Sequence, residues 1–425
     1  MALRFSLAIG ASLCVLYACG SNDSNTKGDD SGGGVAGAGG SSGYGASGGT
    51  GGSSTGGTSA GKAGSAGAGK GGASGSSSTG GTSPETGGAS GAAGSGGAAG
   101  SATGGSGGGS CAGTPMAGIR VEGRELVVDC VPYEVRGVCW NPVPKGATHP
   151  AGLDYAGLSV TDVPLMRTAG INTVRTYERI EDMAVLDRLF DAGIRVLDTV
   201  YGYGGDAASV VTARVNAVKN HPAILGWVLG NEWNYNGLYT SLSHADSLAR
   251  INEAAALVKA ADDSHPVITV YGEVPTTATL GAMPDIDIWG INAYRGISFG
   301  DLFSTWEARS EKPMFLSEYG ADAYNANLPG YDPMSQAEAT AALVGELLAH
   351  SVTRHADGVV LGGTIFEWAD EWWKAGNPNT QEAGGTAPGG GPYPDQTFNE
   401  EYWGVVDIDR MPRPAYDELK ALYAP

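Results

Sequence analysis

"ILGWVLGNE", Ile224–Glu232, is an apolar run that stops on an amide and a carboxylate. Continuous runs of this kind, as opposed to alternating ones, are how strands covered on both faces read, and such strands belong to parallel sheets. Charged residues avoid such surroundings unless they are paired or used. Glu232 therefore has two readings: a strand end meeting solvent, or an acid held at the mouth of a barrel.

Seven further runs share the pattern. They are "YEVRGVCW" (Tyr133–Trp140), "INTVRTY" (Ile171–Tyr177), "IRVLDTVY" (Ile194–Tyr201), "VITVYGEV" (Val267–Val274), "IDIWGINAY" (Ile286–Tyr294), "PMFLSEYG" (Pro313–Gly320) and "GVVLGGTIFEW" (Gly358–Trp368). Amphipathic segments lie between most of them, Ile180–Ala192 and Ser335–Arg354 most clearly, and Gly170 and Gly193 sit where helices should end. Eight strands separated by helices predict an α/β fold, a (β/α)8 TIM barrel. "GIRVEGRELVVDCVPY", Gly118–Tyr133, reads as a hairpin closing the barrel's bottom.

In such barrels chemistry sits at the C-terminal ends of the strands. Here those ends carry Trp140-Asn141, Arg175, Asp198, Asn231-Glu232, Glu273, Asn292 to Tyr294, Glu318 and Glu367-Trp368. Glu232 ends the fourth run and Glu318 the seventh, so their carboxylates can face each other across the mouth. A pair about 5–5.5 Å apart suits retaining glycoside hydrolysis, one acid protonating the leaving oxygen and the other attacking the anomeric carbon. Arg175, ending the second run, is placed to hold a nucleophilic carboxylate ionised. Trp140, Trp233, Tyr235, Trp368, Trp372, Trp373 and Trp403 offer flat faces on which sugar rings could pack, or are ordinary packing. Glu273, Glu367, Asp370 and Glu371 are rival carboxylates on the same rim. The Gly- and Pro-rich stretch Lys374–Trp403 reads as a lid over the cleft or as an unstructured excursion.

These segments resemble the clan A retaining glycoside hydrolases. "AGINTVRTY", "LDRLFDAGIRVL", "ILGWVLGNE", "WGINAY" and "KPMFLSEYGAD" are similar to the catalytic domain of family 72 β-1,3-glucanosyltransferases. With "FEWADEWWK" and "EYWGVVDIDRMPRPAYDELK" they also resemble the barrel domain of family 2 enzymes. The resemblance implies Glu232 as acid/base, Glu318 as nucleophile, Asn231 as partner of the sugar 2-hydroxyl, and Tyr294 as a hydroxyl donor to Glu318. It matches Arg175 to the arginine of the second strand and makes Trp368 a subsite platform. It favours β-1,3-glucan as substrate, by hydrolysis or glycosyl transfer. The alternatives are an exo-acting or mannan-directed β-glycosidase, and a carbohydrate-binding lipoprotein without turnover.

The flanks of the barrel supply an address. "MALRFSLAIGASLCVLYAC" reads as a secretory signal too short to span a membrane as a mature helix. Its Leu16-Tyr17-Ala18-Cys19 ending resembles a lipobox, making residues 1–18 a signal peptide and Cys19 the lipid anchor. Gly20 and Ser21 offer no inner-membrane retention aspartate, so the outer membrane or cell surface is expected. Residues 19–110 are rich in Gly, Ser, Ala and Thr and bury too little to fold, which predicts a disordered tether. A Gly-rich coil of about 90 residues spans roughly 50–60 Å. Residues 111–425 are then the catalytic domain, and all nine Trp fall there.

The net charge of −20 excludes nucleic acid as a partner, because phosphate binding needs a basic face. Six scattered His give no metal-ligand spacing, so neither metal nor cofactor is expected. The expected partner is an oligo- or polysaccharide, met by a monomer whose only membrane contact is its anchor. Of the three cysteines left outside the cytoplasm, Cys111 and Cys130 are the expected disulfide, because Cys139 lies within an apolar run.

Overall fold

The computed structural model describes residues 118–328, 330–383 and 392–424. The signal segment, Cys19, the Gly-rich stretch and Cys111 lie outside these residues. Of the remaining cysteines, Cys130 is disulfide-bonded and Cys139 is a buried free thiol.

The described residues open with a three-stranded antiparallel sheet, β1 (Ile119–Glu122), β2 (Glu125–Val128) and β3 (Val131–Pro132). Eight parallel strands follow: β4 (Val135–Cys139), β5 (Thr173–Arg175), β6 (Arg195–Tyr201), β7 (Ile224–Leu229), β8 (Val267–Gly272), β9 (Ile288–Asn292), β10 (Met314–Glu318) and β13 (Val360–Ile365). They close into a barrel in that order, β13 pairing back onto β4 through Gly362–Ile365 against Val135–Val138. Each strand coincides with one of the eight apolar runs. A two-residue ribbon, β11 (Tyr324–Asn325) with β12 (Gly330–Tyr331), decorates the loop after β10.

Helices fill the connections: α1 (Tyr155–Thr168), α2 (Met183–Asp191), α3 (Ala208–Val218), the short α4 (Trp233–Asn236), α5 (His244–Ala261), α6 (Thr277–Gly281), α7 (Leu302–Arg309), α8 (Pro333–Ala349) and α9 (Pro414–Leu422). Their starts are set by side-chain caps. Asp154, Asp182, Ser243 and Asp332 each accept an orphan backbone N–H of the first turn. Past the ends of α1 and α2, Gly170 (φ 78°) and Gly193 (φ 77°) take the left-handed conformation that a terminating residue needs.

The core has two layers. Between strands and helices lie Val174, Val196, Trp227, Leu229, Trp289 and their neighbours. Inside the barrel Leu197, Leu225, Val228, Ile268, Val270, Ile288, Phe315 and Leu361 pack with Leu126 and Val128 of the hairpin. The hairpin thus plugs the end where the strands begin. Each fully buried aliphatic side chain contributes about 1.5–3 kcal/mol. With the floor sealed, the opposite mouth, at the strand ends, is the open end of the barrel among the described residues.

Candidate active site

Glu318 is the last residue of β10 and is buried. Arg175, the last residue of β5, donates from Nη1 to Glu318 Oε1 at 2.7 Å. Tyr177 Oη donates to the same oxygen at 2.7 Å, and Tyr294 Oη donates to Oε2 at 2.9 Å. Burial and the charge of neighbouring groups, Glu318 among them, push both phenols well above their ordinary range, so both keep the proton they donate. One carboxylate therefore has a guanidinium and two hydroxyls fixing both its oxygens.

Glu232 stands three residues beyond β7, half-buried, with its backbone in the left-handed region (φ 47°). Its N–H donates to Val270 O at 3.1 Å, which ties this turn to β8. Burial, then the negative charge of Glu318, pushes its carboxyl up to about 8, against a hydrogen bond with Asn292 and the charge of Arg175. The two carboxyls are set apart: one compensated by fixed donors, the other keeping a proton at neutral pH. That split is what a pair with unlike roles requires.

Asn231 joins them. Its Oδ1 accepts from Arg175 Nη2 at 2.7 Å and from Asn292 Nδ2 at 3.2 Å. With the oxygen occupied, Nδ2 is the atom left toward the rim, 3.5 Å from Tyr239 Oη. Asn292 is steadied in turn by Ser317 Oγ, which donates to its Oδ1 at 2.7 Å. Arg175 also donates to Ser317 O at 3.0 Å. The residues thus form one connected polar network across β5, β7, β9 and β10.

Three expected sugar platforms are corrected. Trp140 is fully buried, edge-on to Tyr155, and its Nε1 donates to Asp162 Oδ2 at 3.0 Å behind the barrel wall. Trp233 is fully buried, and its Nε1 donates to Thr269 Oγ1 at 2.9 Å. Trp368 is 1% exposed and packs against Tyr416 of α9. None has a face free for a ring. Phe366, two residues before Trp368, instead lies against Tyr177, Tyr294 and Trp403, beside the donors to Glu318.

The rival carboxylates are engaged elsewhere. Glu273 pairs with Arg295, and Asp370 makes a bidentate pair with Arg413, both contacts at 2.6 Å. Lys374 Nζ lies 3.0 Å from Glu371, 3.5 Å from Glu400 and 3.9 Å from Glu367, and 4.2 Å from the centre of the Phe366 ring. Asn141 Nδ2 donates to Glu371 Oε1 at 2.6 Å. Burial alone would discharge Lys374; the three carboxylates overcome it and hold its pKa well above the ordinary value. The described part of the stretch after β13 folds on itself, Glu401 accepting from the N–H groups of Ala375 and Glu382, and Gly146 N, in the loop after β4, donates to its Pro378 O at 2.8 Å. Residues 384–391 lie outside the described residues. Half-buried Trp372 and Trp373 sit in the same region, against Lys145 and His149.

Tyr177 and Lys374 were given no role in the sequence, and Asn292 was named only as one of the strand-end residues. Tyr177 carried a signal: two positions after Arg175, it shares that residue's face of an extended strand. Asn292 closed a run in the same way as Glu318. Lys374, inside a Gly- and Pro-rich stretch, carried none. Among the described residues, no group of three or more His, Cys, Asp or Glu is placed to hold a metal ion.

Comparison with known proteins follows this geometry. The family model for the TIM barrel domain of glycosyl hydrolases family 2 matches residues 206–425. The β-glucuronidase of Rattus norvegicus is 28% identical over 229 residues, 48% of this chain and 34% of that protein. The 1,3-beta-glucanosyltransferase gas5 of Schizosaccharomyces pombe is 24% identical over 273 residues, 56% of this chain and 51% of that protein. The chain spans about a third of the length of the curated β-glucuronidases that it matches. Among solved structures, a β-galacturonidase of Eisenbergiella tayi superposes with a TM-score of 0.52 at 18% identity, over 72% of this chain and 53% of that one. A Bacteroides uniformis β-glucuronidase does so with 0.54 at 18%, over 72% and 37%. At these identities the structural likeness is one of fold.

Proposed function

Because the chain belongs to glycosyl hydrolase family 2 through its TIM barrel domain, we propose that it is a retaining β-glycosidase or transglycosidase working through Glu318 and Glu232. The observation that carries this reading is the unlike treatment of the two carboxyls: Glu318 fixed by Arg175, Tyr177 and Tyr294, Glu232 pushed up to about 8. In the first step a Glu318 oxygen attacks the anomeric carbon. The bond to the leaving oxygen breaks, and that oxygen takes the proton of Glu232. Once Glu318 is esterified its negative charge is gone, so the second of the two causes that raise Glu232, after burial, is relieved. Glu232, having given its proton, is then a carboxylate, fit to take one from water or an acceptor sugar hydroxyl as that oxygen bonds to the anomeric carbon and the bond to Glu318 breaks, freeing its carboxylate. Asn231 Nδ2 donates to the sugar beside the reacting carbon, a hydrogen bond that strengthens as charge develops.

The substrate proposed is a β-linked glucan, β-1,3-glucan favoured, on the similarity to the glucanosyltransferase. A 2-deoxy-2-fluoro-β-glucoside with a good leaving group tests the chemistry. It should add one sugar mass to the peptide holding Ser317-Glu318. Label on Glu367 or Glu371 instead would overturn the assignment. We also propose outer-membrane or surface anchoring through Cys19, supported by the lipobox-like Leu16–Cys19 ending. An alkyne fatty acid fed to expressing bacteria should mark the parent chain, and equal marking of Cys19→Ser would refute the anchor.

A further inference from the structure

We propose that Tyr203 and Tyr239 form a stacking shelf continuous with the cleft, a distal subsite for a pyranose ring of a β-linked oligosaccharide. This deepens, and rests on, the glycosidase reading. The shelf is made from the loops after β6 and β7. The two rings lie 5.5 Å apart at 50° and are 37% and 52% exposed, among the more exposed large side chains of the barrel. Their tips are tied. Tyr203 Oη donates to Glu178 Oε1 at 2.8 Å, and Tyr239 Oη accepts from Asn231 Nδ2 at 3.5 Å. With the hydroxyls held, the apolar ring surface is what remains presented to solvent.

The loops are shaped to hold this arrangement. Leu238, Tyr239 and Ser241 all have left-handed backbones, at φ 53°, 56° and 59°. Residues with side chains rarely adopt this conformation, and it persists only where the surroundings enforce it. The bend buries Leu238 completely and leaves its neighbour Tyr239 outside. Gly204 N donates to Leu238 O at 3.1 Å, joining the two loops. A Cβ at Gly204 would fall 2.8 Å from Thr240 Oγ1 and 3.1 Å from Leu238 Cβ, so only glycine lets the loops approach this closely. An exposed aromatic pair costs solubility and is therefore informative when the backbone is bent to display it.

The occupant follows from chemistry and continuity. A pyranose ring offers an apolar C–H face to an aromatic ring while its hydroxyls stay solvated. Tyr239 touches Asn231, which is bonded to Arg175 beside Glu318, so a chain leaving the reacting sugar meets the shelf directly. A single sugar with a small aglycone stops at Tyr239, beside Asn231, whereas an oligosaccharide can go on to Tyr203. The shelf therefore selects for chain length.

The test compares kcat/KM for laminaribiose through laminarihexaose with that for an aryl β-glucoside. In the parent the value should rise with length. In Tyr203→Ala the ratio of hexaose to aryl glucoside should fall about tenfold, mostly through KM, as expected for loss of one stacked ring. Tyr203→Phe should restore it. An unchanged ratio in Tyr203→Ala, with a parental melting temperature, would overturn the shelf while leaving the catalytic assignment standing. If the parent turns over none of these sugars, the proposed substrate fails and calorimetric titration with laminarihexaose decides the shelf. Affinity that Tyr203→Ala removes supports it, and no binding by the parent ends it.

Discussion

Glu232 and Glu318 were legible because each closes an apolar run, and a carboxylate has no structural reason to sit there unpaired. Their proposed division of labour came from the family resemblance and not from the runs themselves, since it depends on which neighbours donate. Glu318 has three donors on its two oxygens. Two predictions belong here. Glu232→Ala should lose most turnover of oligosaccharides, while an activated aryl glycoside, which departs without a proton, should still form the covalent intermediate. Azide, which needs no general base, should then restore release and give the β-glycosyl azide. Near-parental activity of Glu232→Ala on oligosaccharides would sink the assignment. The second concerns pH. In the proposed mechanism Glu232 enters the reaction protonated, so kcat/KM should fall as pH rises through about 8; a profile flat to pH 9.5 would show that another group gives the proton. The indoles were misread at this same scale. Sequence places Trp140, Trp233 and Trp368 at strand ends, but not which side of the barrel wall each ring takes, and all three turn away from the mouth.

At the scale of elements, the eight strands were readable because burial on both faces makes a parallel strand a continuous apolar word. The connections were readable where a cap or a terminating glycine marks them, as with Asp182 before α2 and Gly193 after it. The segment between β13 and α9 was not. Its Gly and Pro content says loop, whereas its position is set by contacts distant in sequence: Arg413 on Asp370, Gln381 on Asp370, and Glu401 on two backbone N–H groups. Trp368 anchors the start of that segment against α9. Trp368→Ala should therefore destabilise the domain by about 3–5 kcal/mol, the usual cost of emptying a large buried site, and leave KM of the folded fraction within a factor of about two. Urea unfolding and steady-state kinetics check this. A raised KM with parental stability would return Trp368 to the substrate side.

For the whole molecule, several buried carboxyls behave in the same sense. Burial pushes Asp198 and Glu401 up to about 7 and Asp322 to about 8, outweighing the hydrogen bonds each accepts, and Glu232 joins them. In the fold these groups hold protons that the unfolded chain, with ordinary values near 4, has released. Their stabilisation is present in full below the unfolded values and drains away as pH rises through about 7 to 8. The opposite groups, Glu134, Asp262 and Asp332, are lowered and already contribute fully above pH 5. The net charge of −20 adds repulsion in the same direction. The melting temperature should be several degrees higher at pH 5.5 than at pH 8.5, by calorimetry in buffers of equal ionic strength. A higher value at pH 8.5 would mean that these carboxyls ionise freely within the fold.

The hairpin under the barrel bears on how the domain can be handled. Arg124 reaches Ser310 O, just ahead of β10, and Arg136 Nη1 holds Tyr423 O at 2.9 Å, so Ile119 and Tyr423 both lie at the pole where the strands begin. The mouth is at the other pole. A bead, a slide or a fusion partner coupled directly beside Ile119 or Tyr423 meets the sealed floor and leaves the opening unshaded for a bulky ligand.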